Sequence, residues 1–443
     1  MHLAVFGLGP VGLTTAACLA RWGHDVIAVD VDHERLRHLD SGMIPFYEPG
    51  LPELVAEGVA AGRLRFVADP NDALATAKVA FICVGTPPGK GGAPELRFIE
   101  SVGHAAAQHA PGDLLLVEKS TVPAETGSRL ERTVGLELLA GGRHDLQVEV
   151  ASNPEFLREG TAVEDSLHPD RIVIGTTSDW ARDLLREVYA HVIAEEGCPV
   201  IETTRQTAEL IKHASNAYLA MRLSYINAVA NVCDAIGADV RTVADGMGHD
   251  PRIGRSFLDA GLGYGGSCFP KDVDAFAHLA RQVGEPIPLL DEVRRINHSQ
   301  RERVLQTLRE ELWHLDGKRI ALLGAAFKPG TDDLREAPAV WLAEQLLAEG
   351  AQVHVFDPVA GANLKTLQPA ADVFEDLAEA CRGAHAAVVC TEWEVVRSVA
   401  LDDLAGWLSW PILVDGRNVF DPEAAAAAGL RYHGVGRQPS GRR

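Results

Sequence analysis

The chain lacks the features that mark several large classes of protein. Basic residues fall short of acidic ones, 41 against 62, so the formal charge is −21. A nucleic-acid-binding face needs a basic stripe, and an anionic membrane surface needs a basic patch. The balance argues against both. It leaves room for an anionic small ligand, which local cations and backbone amides can hold. The seven cysteines, at 18, 83, 198, 233, 268, 381 and 390, include no Cys-x-x-Cys pair, and their number is odd. That argues against a disulfide framework and against structural zinc. No apolar run approaches the roughly 18 residues of a membrane span. No charged leader or cleavage site precedes the first apolar run. The reading is a reduced, soluble, cytoplasmic protein with no nucleic-acid or membrane partner. Its 443 residues suffice for two to four domains of roughly 100–200 residues each.

Apolar runs alternate with helical stretches. Leu3–Phe6, Val26–Val29, Val79–Val84, Leu114–Val117, Val148–Ala151 and Ile172–Ile174 read as strands of a parallel sheet. The pattern changes near Thr204. Residues 204–236 lack strand runs, and Ala208, Ile211, Ala214 and Tyr218 fit one helical stripe. Strands return at Arg319–Gly324, Gln352–Phe356, Ala386–Cys390 and Pro411–Val414. The expected fold is α/β, with two Rossmann-type doubly wound domains joined by a helical segment containing a long central helix. The boundaries are 1–203, 204–310 and 311–434, with a disordered tail at 435–443.

Gly7-Leu8-Gly9-Pro10-Val11-Gly12 lies between the first strand and a helix, and Asp30 closes the second strand, 30 − 12 = 18 residues on. Such glycines let a pyrophosphate approach the helix N-terminus, and the acid accepts from ribose hydroxyls. An acid there repels a 2′-phosphate, so NAD is expected over NADP. Arg35 complicates that preference, because a cation could receive the phosphate. A structural βαβ turn with no dinucleotide is the bland alternative. The second repeat has only Gly324-Ala325-Ala326-Phe327 and should bind a different ligand.

Gly261-Leu262-Gly263-Tyr264-Gly265-Gly266-Ser267-Cys268-Phe269-Pro270-Lys271-Asp272 is the most unusual stretch. Pro270 suits a helix start, which places Cys268 just before a helix N-terminus and beside Lys271. Dipole and cation both favour thiolate. Asp272, one turn on, is in reach of a proton or a water. A lone cysteine after glycines is more often structural; the helix start, cation and carboxylate together favour a nucleophile. Lys212 and Asn216 share a helix face and could hold an oxyanion, although on spacing alone they read as a solvated pair. Asn153 to Gly160 offers Glu155 and Glu159 after a strand, and Ser120-Thr121-Val122-Pro123 follows another. Lys328 and Arg335 suit a phosphate-bearing ligand. No metal-ligand cluster is evident, which argues against zinc-assisted hydride transfer.

These segments resemble the UDP-glucose/GDP-mannose dehydrogenase family over nearly the whole chain, from residue 1 to about 430. The motifs are GLGPVG, PFYEPGL, VGTPP, KSTVP, NPEFLREG, PDRIVIG, ELIKHASNAYLA, FLDAGLGYGGSCFPKD, FKPGTDDLRE and DGRN. The resemblance implies an NAD-binding domain, a sugar-nucleotide-binding domain and a homodimer built on the central helix. It implies a nucleophilic Cys268, with Lys212 and Asn216 on the oxyanions and Asp272, Thr121 and Glu159 on the hydrolytic water. Cofactor contacts would come from Gly7, Gly9, Val11, Gly12, Asp30, Arg35, Thr86, Thr121, Glu159, Lys271 and Arg335. Substrate contacts would come from Glu155, Phe156, Leu157, Arg158, Lys212, Asn216, Arg252, Phe257, Leu258, Asp259, Ala260, Gly261, Gly265 and Lys328. Arg252 could act across the dimer. Pro10 departs from the aromatic usual within the glycine turn, and Ala260 from the proline usual in the substrate loop.

The implied reaction is twofold NAD-dependent oxidation of UDP-glucose at C6 to UDP-glucuronate, through a thiohemiacetal and a thioester. GDP-mannose and N-acetylated UDP-sugars are alternative substrates. A non-catalytic NAD-binding scaffold is the reading from another class. The co-occurrence of Cys268, Lys212, Asn216 and Asp272 argues against it.

Overall fold

The computed structural model describes residues 1–87, 95–123 and 125–438. The chain forms two compact units, Met1–Ser215 with Asp274–Gly284, and Asn216–Val273 with Glu285–Arg443. Two helices, Arg205–Ile236 and Phe269–Gln282, run from one unit into the other.

The first unit is built on eight strands. They are β1 (His2–Phe6), β2 (Asp25–Val29), β3 (Leu64–Val67), β4 (Val79–Ile82), β5 (Leu114–Glu118), β6 (Val148–Ser152), β7 (Ile172–Gly175) and β8 (Val200–Thr203). Their order is β3-β2-β1-β4-β5-β6-β7-β8. All neighbours pair in parallel except β6 and β7, which meet at Ser152 and Gly175. The inner strands are apolar on both faces, as a sheet covered by helices on both sides requires. One core packs Leu3, Val5, Phe81 and Val117 under the helix Pro10–Arg21; the other packs Phe6, Ile82, Leu116 and Val150 under the helices after β4 and β5.

The second unit carries β9 (Arg319–Leu323), β10 (Gln352–Phe356), β11 (Asp372–Phe374), β12 (Ala386–Val389), β13 (Ile412–Asp415) and β14 (Arg431–Gly434). Their order, β11-β10-β9-β12-β13-β14, is the doubly wound order with its reversal between β9 and β12. The matching reversal in the first sheet lies between β1 and β4. Both expected Rossmann-type sheets and the long helix are present. Among the described residues no helix is long and apolar enough to cross a membrane.

Two details differ from the sequence reading. In the helix Arg205–Ile236, called the central helix below, Ala214 and Tyr218 are exposed, so 208, 211, 214 and 218 do not form one buried stripe. The buried residues of the helix are Ala208, Glu209, Lys212, His213, Asn216, Ala217, Ala220, Ser224, Ile226, Asn227, Ala230 and Cys233. Polar residues interrupt the apolar ones among them, which blurs the apolar periodicity. Residues Val435 and Arg437, within the expected tail, are held by hydrogen bonds. Val435 N–H donates to Asn418 Oδ1 (2.9 Å), and buried Arg437 bonds Asp239 (3.0 Å) and the Phe420 carbonyl (3.2 Å). Residues 439–443 of that expected tail lie outside the described residues.

Candidate active site

In the first unit the segments singled out for the cofactor gather at the carboxyl ends of β1, β2, β4 and β5, where doubly wound sheets bind ligands. Gly7 turns at φ +90°, a left-handed conformation that favours glycine. A Cβ on Gly12 would lie 1.7 Å from the Gly7 carbonyl oxygen, so only glycine lets the helix start press against the turn. Gly9 is the N-cap, and Pro10 occupies the first helical turn with Val11. Proline's missing donor costs the helix nothing there, so the departure at residue 10 is compatible with the turn.

Asp30 is buried at the end of β2. Its Oδ2 accepts from Leu8 N–H (2.7 Å) and from Arg35 Nη1 (2.8 Å), and Oδ1 accepts from Asp32 N–H (2.9 Å). The acid thus fixes the glycine turn and engages Arg35, the cation that the sequence offered for a 2′-phosphate. Thr86, after β4, donates to the Thr121 carbonyl (3.1 Å), which ties the VGTPP and KSTVP loops together. The glycine cradle, the acid and the helix N-terminus fit an NAD molecule. Arg335, the other cationic candidate for the cofactor, belongs to the second unit; its guanidinium bonds Asp333 at 2.7–3.0 Å.

The loop after β6 holds the next cluster. Lys212 Nζ and Glu155 Oε1 form a buried ion pair at 2.8 Å, and Glu155 Oε2 accepts from Leu157 N–H (2.6 Å). Burial alone would raise the Glu155 pKa. The Lys212 charge and hydrogen bond, with the Leu157 amide, outweigh it and hold the carboxyl below its usual range. The Phe156 ring lies 5.4 Å from Lys212 Nζ and 3.7 Å from the Arg171 guanidinium carbon. Arg158 is exposed and bonds Asp165 (3.0 Å), and Glu159 is half-buried.

Sequence reasoning missed what holds this loop. Glu48 of the PFYEPGL motif is buried and accepts from Gly160 N–H and Ala162 N–H, both at 2.7 Å. An acid inside an otherwise apolar motif was the available signal.

In the second unit the helix Phe269–Gln282 begins directly after Cys268, a half-buried cysteine outside any disulfide. Asp272, one turn on, is 1 % exposed. Its Oδ2 accepts from Asn216 Nδ2 (2.6 Å), and its Oδ1 lies 3.5 Å from Lys271 Nζ. Two of the expected catalytic groups are therefore one hydrogen-bonded pair beneath the turn that carries the cysteine.

The glycine loop is clamped through its backbone. Gly261 N–H donates to Asn227 Oδ1 (2.9 Å), Asn297 brackets Tyr264 at N–H and carbonyl (2.8 and 3.0 Å), and Gly266 N–H donates to the Arg335 carbonyl (2.9 Å). A Cβ on Gly265 would fall 2.3 Å from the Glu336 carbonyl oxygen, so side chains are excluded at that point. Ala260 is buried and its carbonyl accepts from Asn418 Nδ2 (3.2 Å), so side-chain amides hold the loop without a proline ring.

Of the remaining substrate candidates, Leu258 is buried and Phe257 sits at φ +60°, with its ring 6.1 Å from Phe269. Asp259 pairs with Arg255 (2.7 Å), Arg252 is exposed and bonded to Asp250 (2.6 Å), and Lys328 is half-buried beside Phe327. The second missed residue is Arg417, after β13 in DGRN. Its guanidinium donates to the carbonyls of Cys390 (2.8 Å), Gly263 (3.1 Å) and Phe327 (3.1 Å), joining the cysteine loop to two strand ends.

The second sheet repeats the acid at the end of its second strand, with a different outcome. Asp357 accepts from the N–H groups of Ala325, Ala326, Val359 and Ala360 and from Trp393 Nε1, all between 2.7 and 3.0 Å. Its acceptors are spent within the fold, consistent with a different ligand for this half.

The geometry defines a dinucleotide fold joined to a cysteine-bearing one, and the sequence comparisons place it. The family profiles of UDP-glucose/GDP-mannose dehydrogenases match in three consecutive parts: NAD binding domain at 1–193, central domain at 206–299 and UDP binding domain at 321–422. The chain belongs to the UDP-glucose/GDP-mannose dehydrogenase family and is an NAD-dependent dehydrogenase. It is 42 % identical to a UDP-glucose 6-dehydrogenase of Pseudomonas aeruginosa, covering 100 % of this chain and 98 % of that one. Against the Rhizobium meliloti enzyme of that name the figures are 41 %, 99 % and 100 %. The structure of a UDP-glucose dehydrogenase from Pyrobaculum islandicum superposes with a TM-score of 0.90 at 36 % identity, covering 98 % of this chain and 97 % of that one. A UDP-D-ManNAc dehydrogenase from Pyrococcus horikoshii gives 0.86 at 27 %, with 99 % of each chain covered.

Proposed function

We propose that this chain oxidises UDP-glucose twice at C6 to give UDP-glucuronate, through a covalent bond to Cys268. The observation that carries the mechanism is the cysteine at a helix start with the buried Asn216–Asp272 pair one turn below it. NAD, when bound, accepts a hydride in each oxidation. The protein's groups do the rest. In the first oxidation the C6 hydroxyl passes its proton to a water held by Asp272 as the hydride leaves, giving the aldehyde. The Cys268 thiolate then adds to the aldehyde carbon: a C–S bond forms and the carbonyl oxygen becomes the oxyanion of a thiohemiacetal. Lys212 and the second amide hydrogen of Asn216 donate to that oxygen. Loss of the second hydride leaves a thioester. Asp272, with Thr121 and Glu159, holds the water that attacks it; the C–S bond breaks and the thiolate returns.

Lys212, Asn216, Phe257, Gly261, Gly265, Arg252 and Lys328 are assigned to the sugar nucleotide. We place the enzyme in the cytoplasm, in keeping with seven cysteines that form no disulfide. The test is NAD reduction against a panel of UDP-glucose, GDP-mannose and N-acetylated UDP-sugars. UDP-glucose should exceed the others in kcat/KM; a higher value for an N-acetylated sugar would reassign the substrate.

Cofactor choice gives a separate prediction. With Arg35 held by Asp30, wild-type enzyme should prefer NAD over NADP by about 100-fold or more in kcat/KM, since an unpaired carboxylate–phosphate encounter costs several kcal/mol. Asp30→Ser should release Arg35 and cut the preference at least tenfold. Comparable kcat/KM for the two cofactors in wild type would overturn the reading.

Assembly gives another. The central helix exposes Tyr218, Tyr225, Val232 and Ile236, at 54, 54, 57 and 72 %. An apolar face of that kind is covered in a homodimer. Sedimentation should show a dimer at micromolar concentration, and Tyr225→Glu should shift it toward monomer. A monomeric wild type would sink the idea.

A further inference from the structure

Two buried carboxyl groups near the start of the central helix have no part in the proposed reaction. Glu118 ends β5, directly before the KSTVP segment, and is 1 % exposed. Glu209 lies on the central helix, 4 % exposed, one turn before Lys212. Both converge on the backbone of Gly127, at the start of the helix Thr126–Ala140. A Cβ there would lie 2.8 Å from Glu118 Oε2 and 3.4 Å from Glu209 Oε1. Two carboxylates so close, away from water, cannot both ionise.

Hydrogen bonding decides which keeps the proton. Glu209 accepts from Glu125 N–H (2.8 Å), Gly127 N–H (3.3 Å) and the Ser152 hydroxyl (3.2 Å). Those donors stabilise a carboxylate, and two of them belong to a helix N-terminus. Neither oxygen of Glu118 makes a hydrogen bond of ordinary geometry among the described residues. The charged groups facing the pair are few. Arg205, on the same helix as Glu209, is largely spent on Glu131 (2.8 Å) and the Val150 carbonyl (2.8 Å). Ser152 of β6 is neutral.

We propose that Glu118 is held as the neutral acid and Glu209 as the carboxylate, and that this one-proton pair seats the first turns of the central helix, from which Lys212 projects. Glu209 fastens the helix to β6 and to the helix that follows Thr121. Glu118 fills the space beneath it without adding a second charge. Burial first, then the Glu209 charge, pushes Glu118 well above the usual carboxylate range, while Arg205 and Ser152 oppose that. Burial also raises Glu209, against its three donors and Arg205. The two residues are positioning residues.

A group raised in the folded state contributes stability that is complete below its ordinary pKa and is lost as pH rises toward the folded value. Glutamine cannot ionise, so Glu118→Gln should melt near wild type at pH 5 and progressively above it toward pH 8. The gap should widen by about 3–5 °C per pH unit, from 1.36 kcal/mol per unit and the Tm sensitivity of a domain this size. If the glutamine variant does not fold, Glu118→Met, which also holds no proton, should show the same widening. Parallel Tm–pH curves for wild type and the variant would overturn the proton assignment.

The positioning half rests on the proposed reaction and has its own readout. Glu209→Ala should lower kcat about tenfold or more, with both KM values within about twofold, because a misplaced Lys212 weakens the transition state more than binding. Unchanged kcat in Glu209→Ala would overturn that half. The melting curves need no activity, so a wrong substrate assignment would leave the proton result standing.

Discussion

Replacing Cys268 by alanine should abolish net conversion to UDP-glucuronate while leaving the protein folded and able to bind both ligands. The thiol is half-buried and lies 3.6 Å from the Ser267 hydroxyl. The loop's conformation is set by backbone bonds to Asn227, Asn297, Arg335 and Arg417, none of which involves sulfur. Wild-type enzyme should reduce two NAD per UDP-glucose, because the acid lies two hydrides beyond the alcohol. Without sulfur no thioester can form, so any residual turnover stops at the aldehyde and the ratio of NADH to acid rises above two. Loss of a nucleophile acting with its neighbours costs on the order of 10³-fold or more. The measurement is NADH counted against UDP-glucuronate in both proteins. Acid formed by the variant at close to the wild-type rate would make Cys268 structural and the thioester route wrong.

The inner framework of both sheets was legible because buried parallel strands are apolar on both faces and announce themselves as continuous runs. The four strands that escaped notice, β3, β8, β11 and β14, are the four sheet edges. Edge strands bury one face and keep polar residues, as in Leu64-Arg65-Phe66-Val67 and Val200-Ile201-Glu202-Thr203, so their periodicity is short and mixed. The glycine turn was legible for a steric reason: Gly12 admits no Cβ, and its spacing to Asp30 is a property of the chain.

The partners of the expected site residues were not legible. Nothing in the sequence says that Asp272 is bonded to Asn216, 56 residues away, or Lys212 to Glu155, 57 residues away. Glu48 and Arg417 were passed over because their work is done on backbone amides and carbonyls. Such partners leave no side-chain pattern.

The Lys212–Glu155 pair yields the second large effect. Lys212→Ala should slow both oxidations, because each passes through charge on the same oxygen, and removal of one such donor costs about 10²–10³-fold in kcat. A cation that served only binding would instead raise KM at constant kcat. Because both groups are buried, with side chains 4 % and 5 % exposed, activity loss has to be separated from damage to the fold. Removing one member of a buried pair leaves the other's charge uncompensated, typically at 3–5 kcal/mol. Glu155 is held below its usual range, so the stability it contributes is present above its ordinary pKa and is lost as pH falls through the folded value. The destabilisation of Lys212→Met should accordingly be largest near neutral pH and shrink as pH falls through the carboxylate range, where Glu155 can take up a proton. Glu155→Gln should destabilise from the other side and bring the alkaline loss of activity to lower pH, since a buried ammonium that has lost its carboxylate neighbour gives up its proton more readily. The double variant Lys212→Met/Glu155→Gln should recover much of the lost stability, having no buried charge left to satisfy, and recover none of the lost kcat. Recovery of both together would mean that Lys212 serves only the fold, and the oxyanion role would have to pass to Asn216 alone.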